Sequence, residues 1–160
     1  MRRQLFLAVF GLMVPVLSAS AQTPTPRIVN GETELGFESA VALGIQAGSS
    51  NISVCSGNLI TPRIILSAAH CGEGVDIDLV VAACKAFFGV EVDDPDDVLG
   101  FVDAQLHPDY VPLENGFGGT LGEFDVSLLE LETEALVEPT WFRRADVTEE
   151  DVGTEMLSVG

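Results

Sequence analysis

Apolar residues in this chain fall mostly into short runs of strand length, separated by turn-forming residues. The runs are "SAVALGIQ" (39–46), "SVCSGNLI" (53–60), "RIILSAA" (63–69), "DIDLVVAA" (76–83), "VLGFVDAQLH" (98–107) and "DVSLLEL" (125–131). Between them stand "AGSSN", "TP", "CGEG", "DDPDD" and "ENGFGG", rich in the residues that supply positive φ or fix a turn. Strands this short at fairly regular spacing predict an all-β barrel or sandwich. No segment shows sustained helical periodicity, and no internal repeat is visible. Residues 147–155, "VTEEDVGTE", read as an acidic connector, and "MLSVG" after it reads as the opening of a further strand.

The first apolar run is different. Arg2 and Arg3 precede "LFLAVFGLMVPVL" (5–17), and small residues follow at Ala19 and Ala21. A basic start, a short apolar core and small residues at a cleavage position describe a secretory signal, removed after about Ala21. The competing reading is a membrane anchor, but a bilayer span needs about 20 apolar residues. The residues around the arginine pair fit a twin-arginine export signal poorly. Residues 22–27, "QTPTPR", form a polar, proline-bearing strip. Export places the chain outside the inner membrane, in the extracellular space or a periplasm, where disulfides persist. Three cysteines, Cys55, Cys71 and Cys84, then leave one unpaired.

Charge narrows the classes further. The formal net charge is −18, and beyond Arg27 only Arg63, Lys85, Arg143 and Arg144 are basic. A chain this acidic lacks the basic surface that nucleic-acid binding requires. The densest acidic run, "VEVDDPDDV" (90–98), fits a solvated turn. Calcium in that loop is the competing reading, although its oxygen ligands follow no recognisable spacing. No other cofactor is indicated.

Four blocks occur in a telling order: "RIVNGE" (27–32), "CSGNLITPRIILSAAHC" (55–71), "HPDY" (107–110) and "DVSLLEL" (125–131). Together they resemble the trypsin-like, chymotrypsin-fold serine proteases, and the resemblance runs from Arg27 to the last residue. "SAAHC" is the most specific block. The resemblance implies a six-stranded antiparallel β-barrel over 28–146, the first of the family's two. It makes His70 the general base and Asp125 the carboxylate that fixes its tautomer and stabilises the imidazolium. It also implies a Cys55–Cys71 disulfide tying the histidine's loop to a neighbouring strand. A metal role for those two cysteines would lack further ligands. Cleavage between Arg27 and Ile28 would free the amino terminus that orders the pocket, making 22–27 a propeptide and the precursor a zymogen that an activating protease opens. His107, in "HPDY", reads as a surface turn residue.

The chain departs from the family in one large respect. No "GDSGG" occurs in the 160 residues, and Ser56, Ser67, Ser127 and Ser158 do not stand in a nucleophile turn. Residues 147–160 therefore read as the connector and start of a second barrel, and the chain as the amino-terminal half of a protease. Cys84 is either the partner of a cysteine in the other half or a free buried thiol. Ser127 stands where the family usually has alanine. Two functions follow. One is a secreted serine endopeptidase acting on protein or peptide substrates, with no nucleic-acid or membrane partner. The other is a non-catalytic secreted binding protein on a protease-like fold. The 160 residues alone are expected to lack triad-dependent activity and to aggregate through an uncovered apolar face.

Overall fold

A computed structural model describes residues 33–111, 123–156 and 159. The signal-like run, the 22–27 strip, Arg27, Ile28 and Ser158 lie outside the described residues. Six strands are present: β1 (Ala40–Ala47), β2 (Ser50–Thr61), β3 (Ile64–Ser67), β4 (Cys84–Phe88), β5 (Asp97–Leu106) and β6 (Ser127–Leu131). They close into a barrel in the order β1-β2-β3-β6-β5-β4, with β1 paired to β4. Every pairing is antiparallel. Closure leaves no unpaired edge in the sheet.

Alternation of side chains explains which residues fill the interior. In β6, Ser127, Leu129 and Leu131 are buried, while Leu128 points outward. Leu129 and Leu131 meet Val41, Leu43, Leu59, Ile65, Ala86, Phe88, Leu99 and Phe101 in one core. Full burial of each large member contributes about 1.5–3 kcal/mol. The turn between β1 and β2 contains only Gly48 and Ser49, because Ala47 pairs directly with Ser50. Gly48 has φ 65°, the left-handed backbone of such tight hairpins. The "AGSSN" stretch is thus mostly strand, and β2 starts three residues before the sequence pattern suggests.

Two further differences have physical causes. Residues 76–83 were expected as a strand, but Ile77–Ala83 is a helix, α1. Asp76 caps it, its side chain accepting the Asp78 N–H at 3.0 Å. Ile77, Val80 and Val81 lie three and four residues apart and turn one face to the core, while Leu79 stays exposed. A seven-residue apolar run is too short for its period to distinguish helix from strand. The barrel position left open is filled by β4, which begins at Cys84 immediately after α1. Its Ala86, Phe87 and Phe88 are all buried, so no alternation marked it as a strand.

Beyond β6 the chain forms no strand among the described residues. In the acidic connector Glu149–Asp151 makes a 3-10 turn. There Asp151 Oδ2 accepts the Thr148 backbone N–H and hydroxyl, and Arg143 pairs with Asp151. Trp141, Leu136 and Met156 stand well exposed in this region.

Gly44 marks the point of least tolerance. The β1–β2 register shifts between Leu43 and Gly44, and a Cβ at residue 44 would run into the Ile52 carbonyl. Backbone must move to admit it. Gly44→Ala is therefore expected to cost about 1–3 kcal/mol, read as a lowered midpoint in thermal denaturation; an unchanged midpoint would contradict this packing.

Candidate functional site

Strand pairing alone brings the two resemblance-derived site residues together. In the β3–β6 ladder Ser67 faces Ser127 at the same end of the barrel. His70 lies three residues beyond Ser67, in a 3-10 turn over Ala69–Gly72, and Asp125 lies two residues before Ser127. His70 therefore occupies a turn rather than the strand end itself. Two residues 55 positions apart become neighbours because antiparallel strands place the exit of one beside the entry of the other.

At the contact, Asp125 accepts two hydrogen bonds from the same residue. Its Oδ1 takes the His70 backbone N–H at 2.8 Å, and its Oδ2 lies 2.8 Å from His70 Nδ1. An ionised carboxylate only accepts, so Nδ1 carries the ring proton and Nε2 is the basic nitrogen. The Asp125 side chain is 20% exposed and the imidazole 40% exposed. The ring is thus held on its acid side and open to solvent elsewhere. Burial pushes the Asp125 carboxyl up. The ring and backbone hydrogen bonds from His70, its charge, and the Ala69 amide outweigh that and hold the carboxyl below its ordinary value.

The surroundings fix the backbone of the His70 turn. Cys55 of β2 is joined to Cys71 by a disulfide, tying the turn to the neighbouring strand. Ser67 Oγ donates to the Ser56 carbonyl at 2.8 Å, and Ser127 Oγ donates to the Ala68 carbonyl at 2.9 Å. Ser127 is buried, and its hydroxyl ties the start of β6 to the residue leading into the 3-10 turn. Both hydroxyls are directed at backbone carbonyls rather than at the His70 ring. His107 lies at a turn, half-buried rather than on the open surface, with its ring against Phe124.

Sequence reasoning missed a second contact at the rim. Tyr110 Oη donates to Glu73 Oε2 at 2.9 Å, linking "HPDY" to the loop after His70. Burial, the bond to Glu73 and the negative charges of Glu73 and Asp125 push the Tyr110 hydroxyl up to about 12. The only signal available was that "HPDY" and "SAAHC" both belong to the resemblance. Neither block alone indicates that they touch.

Metal binding has one geometric candidate among the described residues. Ligand atoms of Cys55, His70 and Cys71 lie within 4.8 Å of one another. The two sulfurs are bonded to each other, so they offer no thiolate pair to a cation. Cys84 is free and half-buried in β4, and burial pushes its thiol up. Glu91, Asp93, Asp94 and Asp96 lie in the connection between β4 and β5, and Asp97 opens β5.

A barrel carrying a histidine–aspartate pair beside a disulfide matches the class to which the sequence blocks pointed, the trypsin-like serine protease fold. The model of the trypsin family matches residues 28–160, and the chain belongs to that family. Among curated proteins it is similar to glucanase inhibitor protein 2 of Phytophthora sojae. The two are 24% identical over 141 residues, covering 88% of this chain and 46% of that protein. Among solved structures it is similar to kallikrein-related peptidase 10 in complex with Zn2+. That match has a TM-score of 0.48 and 20% identity, over 71% of this chain and 46% of that one. The chain spans just under half the length of these relatives.

Two outcomes are expected. Replacing Cys55 and Cys71 by serine opens a loop closed over a separation of 16 residues and should cost about 3 kcal/mol, measured by denaturant unfolding. The depressed Asp125 value has a definite sign. Its stabilisation is fully present above the unfolded value of about 3.9 and is lost as pH falls through the lower folded value. The stability gap between wild type and Asp125→Asn should therefore be open at pH 7 and close below about pH 4. A gap that persists in acid would show that the carboxylate's charge is not what matters.

Proposed function

We propose that the chain supplies the acid–base half of a secreted serine endopeptidase. His70 removes the proton from an attacking hydroxyl at Nε2 and returns it to the leaving amine. Asp125 keeps the Nδ1 proton in place and stabilises the imidazolium between those steps. The observation that carries the reading is the double acceptance by Asp125 from the ring and the backbone of His70. That geometry fixes the tautomer, while the exposure of the ring keeps it approachable. Family membership supports protein or peptide substrates. The nucleophilic serine, oxyanion donors and specificity pocket come from sequence outside these 160 residues. Exposed apolar side chains at Val126 and Leu128, in the segment that follows Asp125, support a covering second barrel. Residues 1–21 direct export, and cleavage between Arg27 and Ile28 activates the precursor. The disulfide supports an oxidising compartment.

A second reading has one specific observation in its favour. The curated relative is named as an inhibitor, so a non-catalytic secreted protein that binds another protein through this fold is the competitor.

A serine-directed fluorophosphonate probe separates the two. The native secreted gene product, after cleavage at Arg27, should label stoichiometrically, and His70→Ala should reduce labelling by orders of magnitude. The 160-residue chain alone should not label. Absence of labelling in the folded native product, with His70 and Asp125 intact, would sink the peptidase reading and leave the binding protein. Labelling of the 160 residues alone would show that the nucleophile lies within them.

A further inference from the structure

The turn that delivers Asp125 is held by two side chains that have no part in proton transfer or in the barrel core. Phe124 has φ 55°, the one left-handed backbone at a non-glycine position among the described residues. For a bulky L-residue this conformation is strained, and glycine would fill it without strain. The Val126 N–H donates back to the Phe124 carbonyl at 2.7 Å, closing a three-residue γ-turn with Asp125 at its apex. The direction of the Asp125 carboxylate therefore depends on the backbone of the residue before it. Burial does not explain the phenylalanine, which is 55% exposed.

Its ring has a specific partner instead. The rings of Phe124 and His107 stack with centroids 5.0 Å apart and planes 11° from parallel. His107 is itself anchored. Its N–H donates to the Val126 carbonyl at 2.9 Å, and its carbonyl accepts the Tyr110 N–H at 3.0 Å. Its Nδ1 accepts the Asp109 N–H at 3.2 Å, which fixes the plane of the ring and puts the ring proton on Nε2. On the other flank, Val111 and Glu123 exchange a pair of backbone hydrogen bonds just before the turn. Strain at a functional corner persists only where surrounding contacts over-determine it.

We propose that His107 and Phe124 are positioning residues: their stack holds residue 124 in the left-handed conformation and thereby keeps the Asp125 carboxylate on both donors of His70. The consequence for catalysis rests on the peptidase reading, but the positioning itself needs no nucleophile.

NMR of the isotope-labelled native secreted gene product tests it with His107→Ala, His107→Phe, Phe124→Ala and Phe124→Gly. Two signals are read. One is the low-field His70 Nδ1 proton, observed while the bond to Asp125 shelters it; the other is the titration of the Asp125 carboxyl. Phe124→Gly removes the ring and the backbone strain together, so it should keep both signals as in wild type. Phe124→Ala removes the ring but keeps the strain. The stack predicts that Phe124→Ala and His107→Ala lose the Nδ1 proton signal and return Asp125 to the ordinary carboxylate range. His107→Phe, which keeps a flat ring, should retain both. Retention of both signals in folded Phe124→Ala or His107→Ala overturns the proposal, as does their loss in His107→Phe or in folded Phe124→Gly. If His107→Ala does not fold, Phe124→Ala decides. Failure of the peptidase reading would appear separately, as absent probe labelling with the wild-type NMR signals intact.

Discussion

The ladder between β3 and β6 is the constraint on which the candidate site depends. Ser67 opposite Ser127 sets the register, and it places the exit of β3 and the entry of β6 at one end of a closed barrel. A slip of one residue would turn Leu129 and Leu131 out of the core, so hydrophobic burial enforces the alignment that the polar site needs. Packing energy thus holds a geometry that the His70–Asp125 contact could not hold alone. An exposed or half-exposed ion pair contributes little stability by itself.

Given that register, several smaller devices refine the position of His70. The disulfide ties its turn to β2, and the Ser127 hydroxyl fixes the Ala68 carbonyl just before it. Tyr110 holds Glu73 on the far side of the loop. Each contact joins segments far apart in sequence. The effect is an imidazole whose orientation is set by its backbone and its acid together, as general base chemistry requires.

Much of this was legible in the chain before any coordinates. Strand-length apolar runs with glycine-rich breaks gave the all-β class, and the ordered blocks around His70 and Asp125 gave the pair. The Cys55–Cys71 bridge came from the same resemblance. Two secondary-structure elements did not read out. The 77–83 run carries only two turns of helix, so its pattern fits either period, and Asp76 as a cap decides it only once the chain is folded. The β4 strand was hidden because three consecutive residues are buried, which erases alternation.

Sequence by itself determined the chemical inventory: one histidine in a disulfide-bearing turn, one aspartate ahead of an apolar strand, and a strongly acidic remainder. Residue identities are enough for that, since a side chain's proton chemistry and its likeness to a family travel with its type and order. Only the tertiary structure decided which nitrogen of His70 faces Asp125, what the Ser127 hydroxyl bonds to, and how Phe124 comes to lie on His107. Those facts depend on distances between segments tens of residues apart. Such distances are set by barrel closure and strand register, and no short stretch of the chain encodes them.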